Sequence, residues 1–287
     1  MSTPTSFRAI VSLAPILGCL AIAALVLPTS GAASGSVDDL SHYRNIPLWE
    51  PGKVPLASGS GPLDNPFLTV FLPAEGKRNG ASVVIAPGGA NIMLMYGAEG
   101  LEIAERYNDW GVTAFVLTYR LSPRYGENAR MLDGARAIQL VRANAAAWKL
   151  DPARIGYIGF SAGSNMGRSV VAAARAGDPN ATDPVDRVNS RPDYLALVYG
   201  AGRATPGESL KDFPPTFLVS AAGDQGPSLA NAQLFMDLTR AGAVAEVHVY
   251  QKGRHGFGSG FGSLAFGGWM SELQRFLVVG GFVPTRP

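Results

Sequence analysis

The chain has 287 residues, of which 47% are hydrophobic and 16% are charged, and its formal net charge at pH 7 is +2. The apolar fraction is ample for one large core and the 35 glycines follow no triplet period, which excludes a disordered or collagen-like chain. Because the charge is weak and lysine and arginine form no dense run, we expect no nucleic acid among the partners.

The first segment has the pattern of an export signal. Arg8 precedes an uncharged apolar run at residues 9–27, and small residues follow. This order predicts a signal peptide over residues 1–33, cleaved after Ala32 or Ala33. An uncleaved membrane anchor is an alternative because the run is long enough to cross a bilayer, and lipid attachment at its cysteine is another. In each case we expect the rest of the chain outside the cytoplasm, periplasmic or secreted.

Cysteine and histidine usage limits the possible chemistry. Cys19 is the only cysteine, so the rest of the chain contains no disulfide, thiolate zinc site or cysteine nucleophile. The only histidines are His42, His248 and His255, and none belongs to an HExxH motif. We therefore expect neither a metal centre nor an organic cofactor.

The body of the chain alternates between strand and helix patterns. Residues 34–66, rich in proline, glycine and serine, are predicted to form an ordered leader, and residues 67–287 one domain. Short, apolar strands separated by helices predict the α/β class, with a mostly parallel sheet and helices on both faces. Strands are expected at residues 68–72, 82–85, 112–117, 155–160, 194–199, 216–219 and 244–250, and helices around residues 103–110, 131–148, 165–174, 234–242 and 269–276.

Ser161 is the candidate nucleophile. It is the serine of Gly-Phe-Ser-Ala-Gly at residues 159–163, directly after a predicted strand and before a helix-forming stretch. Small residues two positions before and after the serine permit a strained turn that holds its hydroxyl above the sheet edge. The alternative is an ordinary glycine-rich turn between a strand and a helix.

A serine hydroxyl needs a base that takes its proton. His255 is the candidate, because it follows the strand predicted at residues 244–250 in a glycine-flanked loop that can place an imidazole over the sheet end. His248 lies inside that strand on the same face as Glu246, so we expect a solvent-side residue there. His42, in the leader, is expected to be structural or solvated.

Asp224 is the candidate acid that orients the base. It follows the strand predicted at residues 216–219, which places it at the same edge of the sheet as the nucleophile. Asp212 precedes that strand and Asp237 lies within a helix, so both are weaker candidates. The serine, aspartate and histidine then occur in the chain order of one particular hydrolase scaffold. A turn-forming aspartate is the alternative interpretation of Asp224.

The negative oxygen that develops during acyl transfer needs hydrogen-bond donors. The candidates are the backbone amides of Gly89 and Ala90, in a loop of small residues after a predicted strand, and the amide of Ala162, directly after the nucleophile. A plain tight turn at Gly88 and Gly89 is the alternative.

These motifs resemble those of the α/β-hydrolase superfamily. Residues 88–90 resemble its HGGG-type oxyanion loop, residues 118–123 resemble the YRL[AS]P stretch of hormone-sensitive-lipase-like esterases, and residues 159–163 resemble the nucleophile elbow. The resemblance implies an eight-stranded, mostly parallel sheet and hydrolysis of carboxylic esters by the serine, histidine and aspartate named above.

Three further segments narrow the resemblance. Residues 47–49, 190–194 and 253–258 are similar to a branch of exported carbohydrate esterases that includes acetylxylan and feruloyl esterase relatives, often labelled xylanase B-like. This similarity implies a small acyl ester, such as an acetylated carbohydrate, as the substrate.

The chain departs from the family pattern beside the candidate site. The family usually has Pro-Gly-Gly-Gly-Tyr, whereas here Ala90 and Asn91 follow the two glycines. Because a methyl group restricts positive φ, we expect a differently shaped oxyanion hole. Asn91, Met93 and Tyr96 are expected to line the substrate pocket, with core packing as the alternative for the last two. Phe257 is expected either in a mobile aromatic flap beside the site or tucked into the core.

Two other function classes remain open at this point. A prolyl-peptidase-like amidase shares the scaffold and the triad order, although the short leader argues against it. A non-catalytic envelope binding protein on the same fold is the second, because of the unusual residues in the oxyanion loop. The oligomeric state is not predicted by any feature of the sequence.

Overall fold

The computed structural model describes residues 40–202, 204, 207–266 and 268–285. The signal peptide, membrane anchor and lipid site predicted within residues 1–33 lie outside the described residues. Among the residues described, no helix is both long enough and apolar enough to span a membrane.

One eight-stranded sheet forms the centre of the fold. Its strands are β1 (Asn45–Pro47), β2 (Phe67–Phe71), β3 (Ser82–Ala86), β4 (Thr113–Thr118), β5 (Ile155–Phe160), β6 (Tyr194–Val198), β7 (Thr216–Ala221) and β8 (Ala245–Tyr250). Neighbouring strands follow the order β1-β2-β4-β3-β5-β6-β7-β8, and β2 is antiparallel to both of its neighbours while all other pairs are parallel. The carboxyl ends of β3 to β8 therefore meet at one edge, and the loops that follow these strands converge there.

Helices cover both faces of the sheet. They are α1 (Glu102–Asp109), α2 (Glu127–Ala143), α3 (Ala162–Ala172), α4 (Gln225–Arg240) and α5 (Trp269–Val279). One core cluster joins α2, α3 and α4 to the sheet, with Ile138 and Leu234 among its buried residues. A second cluster joins α1 and α5 to the opposite face, with Tyr107 and Trp269 buried in it. The predicted fold class is confirmed.

β1 is a strand that the sequence pattern did not predict. It has three residues, with Ile46 buried between two exposed neighbours, so it leaves no apolar run in the sequence. Ile46 pairs with Leu68 of β2 at the edge of the sheet. The segment predicted as a leader thus supplies the eighth strand of the sheet.

A buried ion pair fixes the chain where β4 ends. The Arg120 Nη2 atom lies 2.7 Å from Asp133 Oδ1, and both side chains are fully buried. The Arg120 amide donates to the other oxygen of the Asp133 carboxylate at 2.9 Å. The guanidinium also donates to the carbonyls of Pro55 and Ala129. The arginine of the YRL[AS]P-like stretch therefore ties the leader and α2 to the sheet.

Replacing Asp133 by asparagine is expected to lower the free energy of unfolding by about 3 to 5 kcal/mol, because the Arg120 guanidinium is then buried without its counter-charge. Unfolding in guanidinium chloride, followed by tryptophan fluorescence, measures the change in the free energy of unfolding. Glu50→Gln, which removes an exposed pair with Lys53, is the control and should leave the midpoint unchanged. Equal midpoints for Asp133→Asn and the control would show that the buried pair does not contribute to stability.

Candidate active site

Ser161 lies on a strained turn between β5 and α3. Its φ of 49° and ψ of −110° fall in a region that residues other than glycine rarely adopt. Its amide donates to the Val198 carbonyl at 3.0 Å, which fixes the turn against β6. This backbone geometry is what the nucleophile-elbow motif requires.

The two glycines of the motif are required by close contact with the backbone. A Cβ atom on Gly159 would lie 2.3 Å from the Gly163 carbonyl oxygen. A Cβ atom on Gly163 would lie 2.1 Å from the carbonyl oxygen of Ala86, at the end of β3. Neither position can hold a side chain without moving the backbone, so the turn can form only with glycine two residues before and two after the serine.

The three candidate catalytic side chains meet at the carboxyl-end edge of the sheet. Asp224 follows β7 and precedes α4, and His255 lies in the loop after β8. The His255 Nε2 atom is 2.7 Å from Ser161 Oγ, and the Nδ1 atom is 2.6 Å from Asp224 Oδ2. Because an ionised carboxylate can only accept, Nδ1 carries the proton and Nε2 accepts that of the serine. The Asp224 side chain is 13% exposed and the imidazole 46%, so the base faces solvent while the acid is shielded.

The weaker candidates make other contacts. The His248 Nε2 atom lies 2.7 Å from Glu246 Oε1 on β8, as expected for two residues on one face of a strand. His42 accepts from the amide of Leu72 at 2.9 Å. Asp237 forms an ion pair with an arginine of its own helix. None of these contacts reaches the serine.

The oxyanion loop adopts positive φ at three successive residues, with 129° at Gly89, 54° at Ala90 and 62° at Asn91. The restriction expected from the methyl group of Ala90 does not prevent this geometry. In the described part of the chain, the amides of Gly89, Ala90 and Ala162 have no hydrogen-bond acceptor, so they remain available to a substrate oxygen. A Cβ atom on Gly89 would lie 2.3 Å from the carbonyl oxygen of Met93, so only glycine fits there.

Two buried residues beside the site were not singled out from the sequence. Glu99 is 3% exposed, and its carboxylate accepts from the Gly88 amide and from the Tyr199 hydroxyl, each at 2.6 Å. The Tyr199 ring packs against the His255 imidazole with centroids 4.9 Å apart. Burial raises the pKa of Tyr199 well above its ordinary value, and the neighbouring carboxylate adds to the shift, so the phenol stays protonated and donates.

A cleft of about 760 Å³ opens beside the nucleophile. Asn91, predicted as a pocket residue, lines this cleft together with Ser161 and His255. Polar groups from α2 and α3 continue the lining, including Glu127 and Asn165. The cleft therefore offers hydrogen-bonding groups beyond the position of the reacting carbonyl.

The other three predicted pocket residues are not part of the cleft lining in the described residues. Phe257 stacks on Phe266 with centroids 4.6 Å apart and packs against the core, which is the second of the two placements expected for it. Tyr96 also packs against that core cluster, which is the alternative placement expected for it. Met93 is 53% exposed beyond the oxyanion loop. Phe261, further along the loop that carries Phe257, is 79% exposed, and its ring lies 5.1 Å from the Arg106 guanidinium.

A serine on a strained turn, followed along the chain by an aspartate and a histidine at the same sheet edge, is the arrangement of a catalytic triad on the α/β-hydrolase fold. Comparison with known proteins gives the family. The sequence profile of the BD-FAE family matches residues 68–188. The chain belongs to the BD-FAE family of α/β-hydrolases, which confirms the resemblance expected from the sequence.

Relatives in sequence and structure agree with this assignment. The structure of an acetyl ester-xyloside bifunctional hydrolase from Caldicellulosiruptor lactoaceticus is 30% identical and superposes with a TM-score of 0.77, covering 85% of this chain and 98% of that one. An acetylxylan esterase of Xylanibacter ruminicola is 27% identical over 231 residues, or 73% of this chain and 46% of the relative. The endo-1,4-beta-xylanase B of Butyrivibrio fibrisolvens is 25% identical over 248 residues, or 76% and 38%. The chain thus spans less than half the length of these two curated relatives.

Proposed function

We propose that the protein hydrolyses carboxylic esters through an acyl-enzyme formed on Ser161. The observation that carries the proposal is the His255 imidazole, whose two nitrogens lie 2.7 Å from the Ser161 hydroxyl and 2.6 Å from the Asp224 carboxylate. This is the arrangement that converts a weakly nucleophilic hydroxyl into an effective one. Two relatives, one named an esterase and one an acetyl ester-xyloside bifunctional hydrolase, support the same reaction.

Acylation follows from the positions of these groups. Ser161 Oγ attacks the ester carbonyl carbon while His255 Nε2 takes the hydroxyl proton, and the Asp224 carboxylate stabilises the imidazolium that results. When the carbon–oxygen bond to the alcohol breaks, the imidazolium returns the proton to the departing oxygen. The products of this half are a free alcohol and a serine ester.

The negative oxygen of each tetrahedral intermediate is stabilised by backbone donors. We assign this role to the unbonded amides of Gly89, Ala90 and Ala162, the last at the amino end of α3. In the second half of the reaction, water attacks the acyl carbon while His255 takes its proton. The acid is released and Ser161 is regenerated.

We propose small acyl esters of carbohydrate alcohols as the substrates. One relative is named an acetylxylan esterase and another an acetyl ester-xyloside bifunctional hydrolase. The cleft beside the nucleophile carries polar side chains, among them Asn91, Glu127 and Asn165, which suit an alcohol rich in hydroxyl groups. We also propose that the chain is exported, as the pattern of residues 1–33 predicts, and the amino terminus of the mature protein tests this.

Hydrolysis rates across a substrate panel test the proposed function. The panel contains p-nitrophenyl esters from acetyl to octanoyl, acetylated xylan, methyl ferulate and a peptide p-nitroanilide. We expect the shortest acyl esters to be the best synthetic substrates, acetate release from acetylated xylan, and no significant amide cleavage. Amide cleavage as fast as ester cleavage would favour the peptidase-like alternative, and no turnover of any compound would favour the binding protein.

A further inference from the structure

Glu99 is a buried acid that the reaction described above does not use. Neither of its carboxylate oxygens forms an ion pair with a lysine, arginine or histidine among the described residues. Instead one oxygen accepts from the Gly88 amide and the other from the Tyr199 hydroxyl, each at 2.6 Å. Burying an acidic side chain is costly unless its polar atoms are hydrogen-bonded, and a buried group that is fully hydrogen-bonded makes the surrounding structure more rigid.

The first hydrogen bond orients the oxyanion loop. A Cβ atom on Gly88 would lie 2.8 Å from Glu99 Oε2 and 2.8 Å from the Cβ atom of Ser161, so the loop backbone is held between the carboxylate and the nucleophile. The Gly88 amide is turned toward Glu99. The next two amides, of Gly89 and Ala90, are the ones left unbonded for a substrate oxygen.

The second hydrogen bond reaches the loop that carries the base. The Tyr199 hydroxyl, which donates to Glu99, accepts from the Gly258 amide at 3.2 Å. The ring of Tyr199 lies against both His255 and Phe257, with centroids 4.9 and 4.6 Å away. Tyr199 has a φ of 38° directly after β6, an uncommon conformation that fits its position between two loops.

We propose that Glu99 and Tyr199 are a pair of positioning residues that fixes the oxyanion loop relative to the His255 loop. The inference rests on the proposed ester hydrolysis and adds to it two residues that take no part in its bond-making or proton-transfer steps, although Tyr199 also lines the cleft. Because the two loops supply the oxyanion donors and the general base, a small change in their separation acts on the transition state more than on substrate binding.

The test compares Glu99→Gln, Tyr199→Phe and the double variant with the unmodified protein. Glutamine leaves one of the two donors without an acceptor, and phenylalanine keeps the ring beside His255 but removes the hydroxyl. We measure kcat and KM for p-nitrophenyl acetate, together with the affinity for a trifluoromethyl ketone that adds to Ser161 and places a negative oxygen against the loop amides. Thermal melting of every variant establishes which of them fold.

We expect each single variant to lose about tenfold to a hundredfold in kcat with little change in KM. Affinity for the ketone should fall by the same factor as kcat/KM, since both depend on the oriented amides. The double variant should be no slower than the slower single variant, because the two residues act as one unit. Exposed Glu105→Gln on α1 and fully buried Tyr194→Phe are the matched controls and should retain the unmodified kcat.

Three results would overturn the inference. The first is that the single variants fold and keep the unmodified kcat. The second is that kcat falls while the affinity for the ketone does not change. The third is that the losses of kcat in the two single variants add in the double variant. If Glu99→Gln does not fold, Tyr199→Phe alone decides, since it removes a single oxygen atom. Failure of the proposed function is recognised separately, because the unmodified protein would then turn over no ester and bind no ketone.

Discussion

Ser161→Ala is expected to lower kcat for an acetyl ester by at least about 10⁴-fold without loss of the fold. The methyl group cannot attack the carbonyl, and the substitution removes one oxygen atom at a partly exposed position. The amides of Gly89, Ala90 and Ala162 remain, so any residual rate would come from their stabilisation of the direct attack by water. Assays with p-nitrophenyl acetate, run at high protein concentration so that a slow rate is detectable, measure the loss of kcat.

The matched control for this variant is Ser271→Ala, which removes an exposed hydroxyl from α5. This helix packs on the face of the sheet opposite α3. Its kcat should equal that of the unmodified protein. Both variants should have the same melting temperature. Turnover by Ser161→Ala that approaches the control value would mean that another group attacks the ester.

Asp224→Asn is expected to lower kcat by about 10⁴-fold, since the side-chain amide that replaces the carboxylate can donate to the imidazole. The His255 Nδ1 atom, now 2.6 Å from a carboxylate oxygen, would then accept instead of donate. Its proton would move to Nε2, which could no longer take that of the serine. The substitution moves a proton and keeps the shape of the site, so KM should change far less than kcat.

Asp237→Asn distinguishes the two aspartates considered from the sequence. Asp237 pairs with Arg240 on a partly exposed face of α4, at 3.0 Å, and its replacement should leave kcat unchanged. A loss at Asp237 that matches the loss at Asp224 would indicate a general effect on α4 and not the orientation of His255. Parallel measurement of kcat and KM for both variants decides between these outcomes.

The elements that could be predicted from the sequence are those whose constraints are local. Ser161 is recognisable because a strand, two glycines and a helix adjoin it, and a single segment carries the whole pattern. Asp224 and His255 follow because parallel strands end at one edge, so the loops after them are neighbours. The central strands were predictable for a similar reason, since every residue of β3, β5, β6 and β7 is buried and the sequence there is almost continuously apolar.

Side-chain directions in the loops could not be predicted, because packing partners from distant segments decide them. Phe257 and Phe261 belong to the same glycine-rich segment, yet the first packs on Phe266 and the second is exposed. Ala90 keeps its positive φ because neighbouring hydrogen bonds hold the loop, among them the bond from the Ser122 amide to the Asn91 carbonyl at 2.7 Å.

The burial of Glu99 could have been predicted from the spacing of its neighbours in the sequence. Glu99, Ile103 and Tyr107 recur every four residues, so the acid lies on the apolar stripe of its segment. All three are buried. A charged residue on such a stripe indicates a buried hydrogen-bonding role. Its partners, Gly88 and Tyr199, come from other parts of the chain and could be identified only in the fold.

Covalent labelling by a fluorophosphonate is the most direct measurement, since phosphonylation needs a serine whose proton is taken by a base. Intact mass and peptide mapping should show one adduct per chain, on Ser161, and no adduct in Ser161→Ala or in protein unfolded before the reagent is added. An unlabelled chain, or an adduct on a different residue, would contradict the proposal that these three side chains form a working nucleophile.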